Sequence, residues 1–134
     1  MIVGIDIGTS NIKIIWLENG SVTRSISLNH NSQIKDLPHG QAEQDPNGII
    51  NGIMDALKKN RIDDVVGVAV CGQMHGILCW NENLEPVTNL VTWEDSRVTK
   101  AECEKIASSL YPGYDTTLAR FARLYSFVDM VLQH

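Results

Sequence analysis

The alternation of apolar and polar residues near the start of the chain predicts an antiparallel β-meander. Apolar residues alternate with polar ones over residues 3–7, and a second run with apolar character covers residues 12–17. The Asn19-Gly20 pair that follows is the strongest short signal for a hairpin turn. A third, more polar strand is expected over residues 22–28. The chain is therefore predicted to begin with three strands joined by tight turns.

A polar loop over residues 29–44 is expected to lead into a helix and then a buried strand. Asp45 is a good N-cap, and Pro46 suits the first helical position because its missing N–H costs nothing there. Apolar residues then recur at helical spacing on one face, at Ile49, Ile50, Ile53, Met54 and Leu57. The continuous apolar run over residues 65–70 predicts a central strand covered on both faces.

Weaker patterns follow in the second half of the chain. Residues 77–80 and 89–93 are expected to form two further strands, and Asp95 or Ser96 is expected to cap a second helix. An apolar stripe predicts a last helix from about residue 118. We expect residues 1–110 to form part of one α/β domain, with residues 111–134 as a C-terminal helical segment of the same unit.

Composition narrows the class of partner. The 134 residues are 43% hydrophobic and carry a net charge of −5, which argues against binding to nucleic acid or to an anionic membrane surface. No apolar stretch approaches the roughly 20 residues needed to cross a bilayer. The three cysteines lack CxxC spacing, as expected of reduced thiols in a cytoplasmic protein.

The first turn has the chemistry of a phosphate site. Gly8 is expected where a tight turn needs freedom in φ and where a side chain would block a ligand. The amides of Thr9, Ser10 and Asn11 and the hydroxyls of Thr9 and Ser10 can donate to phosphate oxygens. Lys13 adds a positive charge. Asp6 would repel phosphates unless a divalent ion lay between them, so it predicts Mg²⁺ bound through water. The alternative is an ordinary hairpin in which Asp6 is only a turn residue. This segment resembles the first phosphate motif of the actin-like superfamily.

A second motif, Gly72-Gln73-Met74-His75-Gly76, follows the predicted buried strand. Gln73 and His75 offer donors and acceptors that suit the hydroxyls of a polyol, although an isolated histidine is more often a core residue satisfied by backbone. The motif resembles the substrate loop of the FGGY family of carbohydrate kinases. Further family-like segments are Glu43-Gln44-Asp45-Pro46 upstream and Trp93-Glu94-Asp95-Ser96-Arg97 downstream.

The resemblance implies a ribonuclease H-like fold, as in actin-like ATPases and sugar kinases, and transfer of the ATP γ-phosphoryl group to a sugar hydroxyl. It implies ATP and Mg²⁺ at Asp6, Gly8, Thr9, Ser10 and Lys13. It also implies that Met74 and His75 contact the sugar, with Gln73 and Asp95 near it. Trp93 and Arg97 are expected to hold their segment in place. Within the family, the residues of these motifs resemble those of sedoheptulokinases first and those of xylulokinases second.

The resemblance also implies that the family's general base, an Asp, lies beyond residue 134, so no catalytic residue is assigned. We therefore expect the chain to be the N-terminal portion of a kinase acting on a ketose such as sedoheptulose or xylulose, inactive by itself. A fragment that works with a complementary chain, or that self-associates through unpaired surfaces, stays open. So does a non-catalytic sugar- or nucleotide-binding regulatory module.

Overall fold

The computed structural model describes residues 1–60, 64–102 and 105. Its strands and helix are, in chain order, β1 (Ile2–Ile7), β2 (Asn11–Glu18), β3 (Ser21–Asn29), β4 (Glu43–Gln44), α1 (Pro46–Lys59), β5 (Gly67–Gly72) and β6 (Leu90–Val91). A four-stranded sheet has the order β3-β2-β1-β5, in which β5 runs parallel to β1 and the other pairs are antiparallel. Strands β4 and β6 form a separate antiparallel pair.

The predicted opening meander is confirmed. Asn19 and Gly20 have φ values of 50° and 78°, so both central residues of the β2–β3 turn adopt the left-handed conformation of a type I′ turn. The pairing register places Asp6 opposite Lys13 across β1 and β2. Because paired residues share one face of a sheet, these two side chains project away from the face that carries the core.

Helix α1 begins where the sequence predicts. The Asp45 side chain accepts a hydrogen bond from the Asn47 backbone N–H at 2.9 Å, and Pro46 occupies the first turn. The helix covers the inner face of β1 and β2 in a core formed by Val3, Ile5, Ile12, Ile14, Trp16, Ile49 and Ala56. Ile50 and Met54 are exposed, so the sheet covers a narrower stripe of α1 than the apolar pattern spans.

Strand β5 differs from the prediction. The apolar run was expected to form a central strand covered on both faces, but β5 is an edge strand of the described sheet. Val68 and Val70 are 60% and 64% exposed. Both lie beside Val3 and Ile5 in the parallel register, on the face that α1 covers over β1 and β2. The apolar composition therefore marks a face suited to burial without specifying what covers it.

The segment after β5 contains less regular structure than predicted. The two expected strands are reduced to β6 and to isolated bridges that pair Ile77 with Val91 and Trp80 with Pro86. Helical residues begin at Lys100 rather than next to Asp95. Thr99 is the cap: its Oγ1 accepts from the Glu102 backbone N–H at 3.3 Å, and the Glu102 carboxylate accepts from the Thr99 backbone N–H at 2.8 Å.

The predicted last helix and the 110/111 boundary lie outside the described residues, so both stay predictions. Within the described ranges, no helix has the length and apolar character required to span a bilayer.

Candidate functional site

Two loops leave the sheet side by side at the carboxyl ends of β1 and β5. These strands are parallel, with Ile7 opposite Gly72, so the turn at residues 8–10 and the loop at residues 73–76 begin at the same edge. The Gln73 backbone N–H donates to the Ile7 carbonyl at 2.8 Å and fixes the start of the second loop. The sheet therefore brings together the two segments that the sequence assigns to phosphate and to sugar.

The first turn is closed by a hydrogen bond from the Gly8 N–H to the Asn11 carbonyl at 2.9 Å. Gly8 does not have a positive φ; a Cβ at this position would instead lie 3.0 Å from the Asn11 carbonyl oxygen. Within the described residues, the backbone N–H groups of Thr9 and Ser10 have no protein acceptor. The turn can therefore direct two adjacent amides toward an anion.

Asp6 and Lys13 are exposed beside this turn on the same face of the sheet. The Cys71 thiol donates to Asp6 Oδ1 at 3.5 Å, and this hydrogen bond to a carboxylate raises the pKa of Cys71. Among the residues that the structure describes, no group of three His, Cys, Asp or Glu side chains could hold a metal. A cation here would rely on Asp6, phosphate oxygens and water, which is a common mode of binding for Mg²⁺.

Two side chains that the sequence analysis did not single out contact carbonyl oxygens of the turn after β1. The His30 Nε2 atom lies 3.3 Å from the Gly8 carbonyl oxygen, and the His30 backbone N–H donates to Ser10. The Gln33 Nε2 atom donates to the Thr9 carbonyl at 3.1 Å. Both residues belong to the segment predicted only as a polar loop, and nothing in its pattern indicates which side chains point back to the turn.

The second loop presents Met74 and His75 to solvent. Met74 is 72% exposed, and His75 is exposed with a φ of 64°, in the left-handed region that non-glycine residues seldom adopt. Gly72 precedes them where a Cβ would lie 3.0 Å from the Ile7 carbonyl oxygen. The close approach of β5 to β1 thus favours a glycine, and the left-handed conformation of His75 carries a conformational cost.

Side-chain hydrogen bonds join the two loops. Thr9 Oγ1 donates to Gln73 Oε1 at 3.2 Å, and Gln73 Nε2 donates to Gln44 Oε1 at 2.9 Å. Gln44 Nε2 donates to the Thr9 carbonyl at 2.6 Å. Trp93 Nε1 donates to Thr9 Oγ1 at 3.0 Å. The sequence analysis treated Gln44 only as part of a helix-opening segment, and its amide provides a second link between the loops beside the direct Thr9–Gln73 hydrogen bond.

Asp95, the remaining predicted site residue, lies in an ionic cluster. It is buried and accepts from the Ala42 backbone N–H at 2.8 Å and from the Arg97 guanidinium at 2.7 Å, while Arg97 also pairs with Glu43. Burial raises the pKa of the Asp95 carboxyl, but the hydrogen bonds from Arg97 and Ala42 outweigh burial and hold that pKa below its ordinary value. The expectation that Arg97 holds its segment in place agrees with these contacts.

At one edge of a mixed sheet, the structure therefore places a turn after β1 next to a polar loop after the parallel strand β5. The model of the FGGY family of carbohydrate kinases, N-terminal domain, matches residues 1–120. The chain therefore belongs to the FGGY family of carbohydrate kinases, as the sequence motifs predicted.

Relatives and solved structures agree with this assignment. A xylulose kinase of Staphylococcus epidermidis is 33% identical over 113 residues, which cover 79% of this chain and 22% of the relative. A sedoheptulokinase of Mus musculus is 34% identical over 123 residues, covering 70% of the chain and 25% of the relative. The crystal structure of a ligand-bound xylulose kinase from Lactobacillus acidophilus superposes with a TM-score of 0.64 at 26% identity, over 89% of this chain and 24% of that one.

These comparisons confirm the predicted fold class. The chain spans about a fifth to a quarter of the length of the curated relatives described above. The two identities differ by one percentage point, so they do not separate a sedoheptulokinase-like sequence from a xylulokinase-like one.

Proposed function

We propose that the chain is the N-terminal portion of an ATP-dependent carbohydrate kinase, in which it supplies the phosphate-binding turn and part of the sugar-binding loop. The phosphoryl acceptor is a hydroxyl of a ketose such as xylulose or sedoheptulose. The observation that carries this proposal is the placement of both loops at one sheet edge, where Gln73 is bonded to Ile7 and to Thr9. A phosphoryl donor and its acceptor must lie next to each other for transfer.

Each side of this edge has suitable chemistry. The amides of Thr9 and Ser10, with Lys13, would bind the phosphates of ATP, and Asp6 would hold Mg²⁺ through water. The ion would neutralise charge that develops on the phosphoryl oxygens. On the other side, Met74 and His75 are exposed where a polyol can reach them. The histidine ring offers a hydrogen bond, and the methionine offers an apolar surface.

No general base is assigned among the predicted site residues. Asp95 is a poor candidate because its oxygens accept from Arg97 and its lowered pKa makes it a weak base. Asp6 is not assigned as the base either, because it lies beside the turn that is proposed to bind phosphate. We therefore propose that the 134-residue chain binds sugar and nucleotide but does not turn them over. The second candidate is a sugar- or nucleotide-binding module without catalysis. The absence of an assigned base favours it over a kinase that is active as this chain alone.

Two assays on the purified chain test this function. Calorimetry with D-xylulose, sedoheptulose and ATP–Mg²⁺ measures binding, and coupled ADP release with the same sugars measures turnover. We expect sugar binding to be weakened about fivefold by His75→Ala, because one hydrogen bond to a ligand contributes about 1 kcal/mol. His39→Ala, an exposed histidine in the 29–44 loop, is the matched control and should bind as the unmodified chain does.

The outcomes separate the candidates. Binding without ADP release supports both the kinase-portion proposal and the binding module. ADP release restored by adding the remaining part of a family kinase supports the kinase portion and contradicts the module. Failure of the chain to bind any of these sugars or ATP–Mg²⁺ would refute both, and steady turnover by the chain alone would refute the assigned lack of a base.

A further inference from the structure

The hydrogen bonds that join Thr9, Gln44 and Gln73 form a closed ring, which we call the amide ring. Each member donates once and accepts once within it: Gln44 Nε2 to the Thr9 carbonyl, Gln73 Nε2 to Gln44 Oε1, and Thr9 Oγ1 to Gln73 Oε1. Gln44 is 1% exposed, so its amide is shielded from water that could replace either partner. Rings of this kind are sensitive to every member, because each hydrogen bond orients the next.

The direction of the ring is fixed by the Thr9 carbonyl. A carbonyl can only accept, so the NH₂ group of Gln44 must face it, and the Gln44 oxygen must then face Gln73. Gln73 consequently presents its own oxygen to the Thr9 hydroxyl. Trp93 Nε1 donates to that same hydroxyl oxygen, and the hydroxyl proton is already directed to Gln73.

This arrangement changes the roles that Thr9 and Gln73 can play. The Thr9 hydroxyl proton points to Gln73 and not to a phosphate, which leaves the Thr9 backbone N–H as its donor toward an anion. The Gln73 amide has one hydrogen bond at each end within the ring, which leaves one N–H and one oxygen lone pair for a ligand. Met74 and His75 directly follow Gln73, so a change in the Gln73 backbone dihedral angles would move them.

We propose that Gln44 is a positioning residue that couples the phosphate turn to the sugar loop. The proposal rests on the function proposed above for the two loops. Phosphate bound by the Thr9 and Ser10 amides restricts the turn; the amide ring then restricts Gln73 and, through it, Met74 and His75. Binding at the turn therefore favours the loop conformation that binds sugar, and the coupling is reciprocal.

The first test needs no ligand. Gln44→Leu removes both ring bonds of Gln44, and its matched control is Gln33→Leu, which removes another donor to the same Thr9 carbonyl without touching Gln73. Amide hydrogen exchange of the Gln73 N–H, which is bonded to Ile7, should accelerate about tenfold in Gln44→Leu. It should change by less than about twofold in Gln33→Leu, because this exposed side chain acts on the turn alone.

Gln44→Glu gives a second variant that remains informative if Gln44→Leu does not fold. A protonated Glu can donate to the Thr9 carbonyl and accept from Gln73, as the glutamine does, whereas a carboxylate would place a negative oxygen against that carbonyl. Burial disfavours the charged form. Exchange at Gln73 in Gln44→Glu should therefore approach that of the unmodified chain at pH 5 and exceed it at pH 8, after correction for intrinsic exchange.

The second test uses ligands. Mg²⁺–pyrophosphate should strengthen D-xylulose binding by about fivefold or more in the unmodified chain and in Gln33→Leu. The factor should fall to less than about twofold in Gln44→Leu, in which the Thr9–Gln73 hydrogen bond is all that remains of the ring. Unchanged exchange at Gln73 in Gln44→Leu, or equal effects of the two leucine variants, would overturn the coupling role. A chain that binds neither ligand would contradict the proposed function, while the exchange measurements would still decide whether Gln44 controls the loop.

Discussion

Replacing Asp95 with asparagine tests how strongly the ionic cluster holds the site together. Asp95 connects two segments that are distant in sequence, because it accepts from Ala42 and from its neighbour Arg97. Arg97 in turn contacts Glu43, which lies next to Gln44 of the amide ring. Asp95→Asn retains the size of the side chain and an acceptor for Ala42, but removes the charge that faces the guanidinium.

The magnitude follows from burial. Breaking a fully buried ion pair by removing one partner costs about 3–5 kcal/mol. The Arg97 side chain is 18% exposed and keeps Glu43 as a second partner, so the cost should fall near or below the lower end of that range. We expect Asp95→Asn to lower the free energy of unfolding by about 2–3 kcal/mol. Small domains have only about 5–15 kcal/mol in total, so the change would be large.

Urea unfolding followed by tryptophan fluorescence measures this difference. Glu94→Gln is the matched control, since Glu94 is an exposed neighbour whose substitution should change the free energy by less than about 0.5 kcal/mol. If Asp95→Asn matches Glu94→Gln, the cluster contributes nothing measurable and the reasoning from burial is wrong.

The pH dependence provides an independent check. The folded-state pKa of Asp95 is lowered, so its contribution is complete above the unfolded-state value of about 3.9 and is lost as the pH falls through the lower folded-state pKa. The difference in stability between the unmodified chain and Asp95→Asn should therefore be constant from about pH 5 to 8 and shrink below about pH 4. A difference that grew on acidification would have the wrong sign and would refute the assignment.

Three further substitutions give distinct expected outcomes. His75→Gly should raise the free energy of unfolding by about 1 kcal/mol in urea titrations, because glycine adopts the left-handed conformation without strain, while sugar binding measured by calorimetry falls. Asp45→Ala should lower it by about 1 kcal/mol through loss of the cap on α1; Asp55→Ala, at an exposed position in the same helix, is the control. Val68→Thr with Val70→Thr should reduce self-association in sedimentation velocity, with less than about 1 kcal/mol lost from stability, because both side chains are largely exposed; unchanged sedimentation would show that this face does not drive association.

The parts of the fold that the sequence predicted correctly are determined by local signals. The Asn19-Gly20 turn requires two left-handed residues, which these residue types tolerate, and the Asp45 cap needs only the next two residues. Position within a sheet is not local. The apolar residues of β5 look the same in a covered central strand and in an exposed edge strand, so composition alone could not place Val68 and Val70.

In the candidate site, too, contacts within a short segment were predictable and contacts between distant residues were not. The turn after β1 was predictable because the Gly8–Asn11 hydrogen bond closes it within four residues. The hydrogen bonds of Gln44 reach partners 35 and 29 residues away, and no spacing rule points from Gln44 to Thr9 or Gln73. A buried glutamine in a short strand next to a helix cap gives no sign of its partners until the strands are assembled.

Asp6 and Asp95 show why residue type alone could not assign roles at this site. Both are aspartates in family-like motifs, and both were predicted to lie near ligands. Asp6 is exposed at the end of β1, where a cation and phosphates can approach it, whereas Asp95 is buried against Arg97 and Ala42. The first carboxylate is available to a ligand, and the second is already neutralised by the protein. A substitution at Asp6 should therefore act on Mg²⁺-dependent binding with little loss of stability, and one at Asp95 should act first on stability.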